Sequence, residues 1–273
     1  TVNSLNSANR YIRFEGEVAV NGDLNMTANA LNMGYYVSSN GGVLDPSTVN
    51  VTGDLYADID STISFSDVIT AKNITLISHE SSILAAHLGD DYHASLNTTG
   101  GDITLSAVKG EVTSLEGTVP AGGKSDYFSM ASTQGHLTVD KLAEYNDKKS
   151  EVRINGGSAD VTTAGVASVW TDLDGDLTVN AGGNTLISGD VDGDVTVVTA
   201  AKADFDKVNV GGDLDIDAGH NVYLTRTTVG GNTEVDTTGG MIDLYKVTLG
   251  ADGANTVNSL NSANRYIRFE GEV

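Results

Sequence analysis

Residues 211–229 read GGDLDIDAGHNVYLTRTTV. Strand alternation puts Leu214, Ile216, Val222 and Leu224 on one side and Asp215, Asp217, Tyr223 and Thr225 on the other. Gly212-Asp213 and Ala218-Gly219-His220-Asn221 are turn sequences between them. A third short piece ends at Thr228-Val229 before Gly230-Gly231. Three strands this short cannot bury a face alone. Stacked on copies of themselves they can, so the stretch predicts one coil of a parallel β-solenoid.

The rest of the chain repeats the pattern. Gly-Asp or Gly-Asn followed by alternating apolar residues recurs at Gly22-Asp23, Gly53-Asp54, Gly101-Asp102, Gly175-Asp176, Gly193-Asp194, Gly212-Asp213 and Gly231-Asn232. The later copies are 18–19 residues apart, and Gly157-Ser158 extends that series backwards. The fold expected is all-β, a parallel β-helix with coils of about 19 residues and several inserted loops. The loops are expected at 34–48, 79–100, 106–135 and 140–155. Ser82–Leu88 and Lys141–Lys149 are the only segments that read as helical turns. Tandem immunoglobulin-like sandwiches want strands every 8–12 residues and a buried Trp, which a regular short period argues against.

A longer period encloses the short one. Residues 1–18, TVNSLNSANRYIRFEGEV, recur letter for letter at 256–273, an offset of 255. The chain therefore reads as one tandem unit, 1–255, and the start of the next, 256–273. Such a unit is expected to form roughly 10–12 coils and to rise about 50–60 Å at strand spacing.

Composition limits the function. The chain has 273 residues, no Cys, 2 Pro, 32 Gly and 6% aromatics. No disulfide or thiolate metal site is possible. With 15 Lys+Arg against 37 Asp+Glu the formal charge is -22, which disfavours nucleic acid and anionic membranes as partners. No apolar run approaches the roughly 20 residues of a membrane-spanning helix. No targeting segment is apparent at Thr1, so the sequence reads as an internal piece or one already processed.

GDLTVNAGGNTLIS (175–188) and GGDLDIDAGHNVYL (211–224) resemble coils of filamentous-haemagglutinin-type exoproteins. The likeness is strongest over 157–250. It implies a right-handed β-helix, bacterial export to the cell surface and a fibre role in attachment or biofilm. It implies no catalytic residues.

Candidate chemistry is sparse. Asp172, Asp174 and Asp176 precede Asp190, Asp192 and Asp194 by 18 residues, with Asp213 one coil further. Stacked coils would bring like charges within about 4.8 Å, and calcium is the expected cofactor to offset their repulsion. Solvated turn residues are the plainer reading. His79, Glu80, His87, Asp90, Asp91 and His93 could hold zinc, though their spacing matches no standard motif. Tyr35, Tyr36, Tyr92, Tyr127 and Tyr145 cluster outside the regular coils and are candidate loop contacts for a glycan or a neighbouring fibre.

The expected function is structural: a repeat of a long extracellular filament or adhesin stalk, its partners being further copies in tandem and neighbouring fibres laterally. A glycan- or surface-binding adhesin module is the alternative. A β-helix polysaccharide lyase or hydrolase is disfavoured, because the arginines are dispersed and no G-x-S-x-G, H-E-x-x-H or phosphate-loop motif occurs.

Overall fold

The computed structural model describes residues 2–33, 47–87, 94–116, 127–142, 151–251, 258–263 and 266–271. Those residues form strands and no helix, and their strands pair in parallel. The chain divides into two units, 1–155 and 156–273. Each is a parallel β-solenoid.

In unit 1–155 each coil has three faces, and like residues stack in columns. The first column runs Leu24, Leu55, Ile74, Ile103, Leu137. The second runs Leu31, Ile63, Ile83, Val112. The third runs Val18, Val49, Ile69, Leu96, Met130. From Leu24 and Leu31 onward, with Val49 and beyond in the third column, these side chains are buried. Coil length varies because insertions leave at one place, between the second and third faces: after Met33, His87 and Glu116. In the tight version of that corner a single left-handed residue suffices, as at Gly16 (φ 71°) and Asp67 (φ 73°). A corner closed by one residue can be opened by any number without disturbing the faces beside it.

Unit 156–273 has coils of 18–20 residues up to the step from Thr233 to Asn258, which spans 25. Ala159, Leu177, Val195, Leu214 and Thr233 stack on one face. Val169, Ile187, Phe205, Leu224 and Leu244 stack on the next, and Val191, Val210, Val229 and Leu249 on the third. The coil quoted at the outset resolves into Leu214–Ala218, Val222–Thr225 and Thr228–Val229. Leu214, Ile216, Val222 and Leu224 are buried, as expected. Its left-handed corner is occupied by Gly189, Lys207, Arg226 and Lys246 in successive coils. At another corner Thr163, Ala181, Thr199, Ala218 and Thr237 alternate hydroxyl and methyl. There the hydroxyls of Thr199 and Thr237 donate to the turn carbonyls of Gly183 and Gly240.

Two local expectations are corrected. Ser82–Leu88 is not helical: Ile83–His87 is a strand, with Ile83 and Ala85 buried in register with Ile63 and Phe65. The expected loops 79–100, 106–135 and 140–155 are too long. They contain the coil strands Ile83–His87, Ser95–Thr98, Val112–Glu116, Tyr127–Asp140 and the start of Glu151–Thr163. Residues 143–149 of the second helical expectation, and most of the loop 34–48, lie outside the described residues.

Candidate functional site

The Gly-Asp corner is a ladder of caps. The amide N–H of Asp194 donates to Oδ1 of Asp176 (2.9 Å), and that of Asp213 to Oδ1 of Asp194 (2.8 Å). Asn232 donates both its backbone N–H (2.6 Å) and its Nδ2 (3.1 Å) to Asp213. Unit 1–155 does the same: Asp54 N–H to Asp23 (3.0 Å), Asp102 N–H to Asn73 (2.8 Å) and His136 N–H to Asp102 (2.9 Å). These coil-start amides, which would otherwise lose their partners at the turn, are held by charge-assisted or amide bonds.

The preceding glycine makes this possible. A Cβ on Gly53, Gly193, Gly212 or Gly231 would lie 2.1–2.2 Å from the capping oxygen of the coil below. Lys72 is the natural exception. Its N–H keeps the coil bond to Gly53 (2.8 Å), but Oδ1 of Asp54 accepts the side-chain Nδ2 of Asn73 (2.7 Å).

Of the aspartates named from the sequence, Asp176, Asp194 and Asp213 succeed one another along this ladder. Asp172 is in register with Asp190, whose Oδ1 accepts Nδ2 of Asn209 (2.6 Å) on the next coil. Asp174 and Asp192 are exposed turn residues, their N–H groups bonded to Gly156 O (2.7 Å) and Leu173 O (2.9 Å). Among the described residues no three His, Asp or Glu side chains converge as a metal site would require. His79 faces Asp58 (2.5 Å), while Glu80 pairs with Lys109 (2.6 Å). Asp90, Asp91 and His93 lie outside the described residues, as does the side chain of His87.

Of the candidate contact tyrosines, Tyr35, Tyr36, Tyr92 and Tyr145 lie outside the described residues, as does the side chain of Tyr127, which opens a coil strand. Exposed aromatics stand on the coils: Tyr11, Tyr56, Trp170, Tyr245, Tyr266 and Phe269. Tyr11 with Arg13, Asn32, Thr62 and Ser64 lines a cavity of about 450 Å³ in unit 1–155.

The repeated 18 residues are the second element of the site. In the first copy, Leu5, Ser7, Ile12 and Phe14 pair in register with Met26, Ala28, Leu31 and Met33 of the following coil. In the second copy the same residues, now Leu260, Ser262, Ile267 and Phe269, pair with Val235, Thr237, Ile242 and Leu244 of the preceding coil. One sequence thus accepts a coil on either face, with the same side chains in the core columns. Arg268 adds a charge contact: its Nε donates to Oδ1 of Asp243 (3.0 Å), and a second nitrogen bonds Oδ2. These hydrogen bonds, and then the charge of Asp243, hold the Arg268 guanidinium above its ordinary pKa range. Its counterpart Arg13 pairs with Glu15 (2.7 Å).

No family model, characterised protein or solved structure matches the chain. What fold and corners define is a class, the parallel β-solenoid built of repeated coils.

Proposed function

We propose that the chain is a structural repeat of a long extracellular, cell-surface filament or adhesin stalk, without a catalytic step of its own. The observation that carries this reading is the repeated segment. Its Leu, Ile and Phe continue the core columns of the coil before it and of the coil after it, in the same register. In a tandem array the segment becomes an ordinary mid-stack coil, and the next copy begins with no cap and no linker. Solenoid stability is a sum of coil and nearest-neighbour terms, so length can grow without redesign.

The test is to join one, two and three copies covalently and measure them by electron microscopy. Rods lengthening by an equal increment per copy are expected. Separate beads joined at variable angles would overturn the reading.

The filamentous-haemagglutinin-type likeness, resting on its residues alone, supports the surface location. Calcium belongs to the proposal as a counter-ion shared along the acidic corner of Asp172, Asp174, Asp176, Asp190, Asp192, Asp194 and Asp213. At -22 the chain repels itself, and a divalent ion between in-register carboxylates offsets this better than diffuse screening. Unit 156–273 is expected to melt higher in millimolar calcium than in chelator at matched ionic strength. Superimposable curves would remove calcium from the account. The glycan-binding reading is favoured by one feature, the cavity beside Tyr11, where the ring and an otherwise largely apolar wall are joined by the polar groups of Asn32, Thr62 and Ser64, a mix that suits a neutral sugar.

A further inference from the structure

We infer that unit 156–273 binds a second copy of this chain side by side, a ridge of cations on one copy meeting an acidic face of the other. The inference rests on the filament reading and supplies the lateral contact between neighbouring filaments.

The ridge is the left-handed corner between the second and third faces. Lys207, Arg226 and Lys246 hold it in successive coils, at φ 58°, 53° and 54°. Each directly follows one of the in-register residues Asp206, Thr225 and Tyr245. Gly189 fills the same corner one coil earlier, so glycine fits there. A side chain in this conformation strains the backbone, and strain that is kept marks a position where the side chain is used. Contacts within the unit use it only in part. Arg226 pairs with Asp206, and the Lys246 ammonium lies 5.3 Å from the centre of the Tyr245 ring. Lys207 is exposed and has no ion pair among the described residues.

The first face lies across the three-sided coil from this ridge. Its outward residues include Asp215 and Asp217, in register with Glu234 and Asp236. No Lys or Arg stands on that face among the described residues. Lys202, at its edge, turns to the second face, bonded to Asp204 (2.8 Å) and 5.1 Å from the centre of the Tyr223 ring. The unit is therefore polarised across its coils, positive along a ridge and negative on the face opposite.

The two rows of charge share one repeat. Both advance a coil at a time, about 4.8 Å, so copies lying side by side bring ammonium and carboxylate together coil after coil. The net charge of -22 does not forbid this. At about 0.1 M salt, charges more than about 10 Å apart are largely screened, whereas pairs in contact lie well inside that range. Ridge and face are different surfaces, so the contact is heterologous and each copy keeps one of them for the next neighbour. A contact over a few coils is weak, and its recurrence along neighbouring filaments strengthens it.

The test is charge reversal in the full chain, read by sedimentation at rising concentration. The ridge variant carries Lys207→Glu and Lys246→Glu. The face variant carries Asp215→Lys, Asp217→Lys and Glu234→Lys. The unaltered chain is expected to gain mass with concentration, and to lose that gain towards about 1 M salt, where the Debye length is about 3 Å. Either variant alone should associate at least about tenfold more weakly. An equimolar mixture of the two should recover, because reversed ridge fits reversed face. The face variant is the least negative chain, so an effect of net charge alone would make it associate most and would overturn the inference. A mixture that does not recover would do the same. Should a reversed variant lose its β spectrum, Gln at 207 and 246, or Asn at 215 and 217 with Gln at 234, replaces it and should still weaken association. An unaltered chain and a covalent three-copy array that both stay single would overturn the inference, and an array that is nonetheless a straight rod would leave the filament reading standing. A polyuronate held by the ridge of a chain that never pairs would also overturn it, giving the ridge to an acidic glycan.

Discussion

Phe205→Ala is expected to destabilise unit 156–273 by about 3–5 kcal/mol. Phe205 is completely buried, stacked between Ile187 below and Leu224 above. Large-to-small changes cost the lost transfer energy plus the cavity left behind, and the cavity term depends on how far the surroundings can collapse. Here they can collapse little. The coils are held at strand spacing by ladders on both sides, so the space once filled by the ring stays open. Because each coil touches only its neighbours, the damage should be local at first. Hydrogen exchange should show protection falling over 185–225 before it falls elsewhere. Asp215→Ala supplies the contrast. Asp215 points outward on the next coil and is exposed, so its removal should change stability by no more than about 0.5 kcal/mol. Denaturant titration of both variants reads the inside–outside register directly, and comparable losses would show the register to be wrong.

The inward set was legible because it repeats. Leu214, Ile216, Val222 and Leu224 alternate with charged or polar neighbours, and the same alternation returns a coil later in register. The Gly-Asp corners were legible as turns, but their chemistry was not. Stacked aspartates read as a repulsion problem needing a cation. The amides that each carboxylate meets one coil later are backbone groups, invisible in a list of side chains. The available signal was the glycine directly before the aspartate, together with its exception at Lys72-Asn73. The helical reading of Ser82–Leu88 failed because Ala-Ala-His-Leu has helical propensity in isolation. Ile83 and Ala85 are fixed by columns made of residues about twenty positions away. The left-handed corner left no mark at all where Lys207, Arg226 and Lys246 occupy it, since nothing but glycine announces a positive φ. Loop boundaries overshot for a related reason. Once an insertion breaks the period, the short strand beyond it looks like part of the insertion.

Gly212→Ala is expected to cost about 2–3 kcal/mol, the worth of a hydrogen bond to a charged group together with the amide left without it. The added Cβ would fall 2.1 Å from Oδ1 of Asp194, with the backbone carbon and oxygen of Gly193 both at 2.9 Å. Something must move, and the side chain of Asp194 is the softest of these. The corner at Lys72 shows the outcome: where a Cβ is present, the carboxylate below turns to a side-chain amide instead of the coil-start N–H. At Gly212 the next residue is Asp213, which has no side-chain donor to offer, so the displaced carboxylate gains nothing in exchange. Gly165→Ala is the control for glycine entropy alone. Its Cβ would meet nothing nearer than Thr163 Oγ1 at 3.8 Å, and a gain of about 0.4–1 kcal/mol is expected. A double-mutant cycle separates steric from capping effects. In the Asp194→Ala background there is no carboxylate to displace, so Gly212→Ala should cost markedly less, leaving a coupling of at least about 1 kcal/mol. Full additivity would mean that the glycine serves the backbone alone. The coupling expected here instead makes Gly-Asp one device, in which the glycine of each coil is the socket for the aspartate of the coil before it.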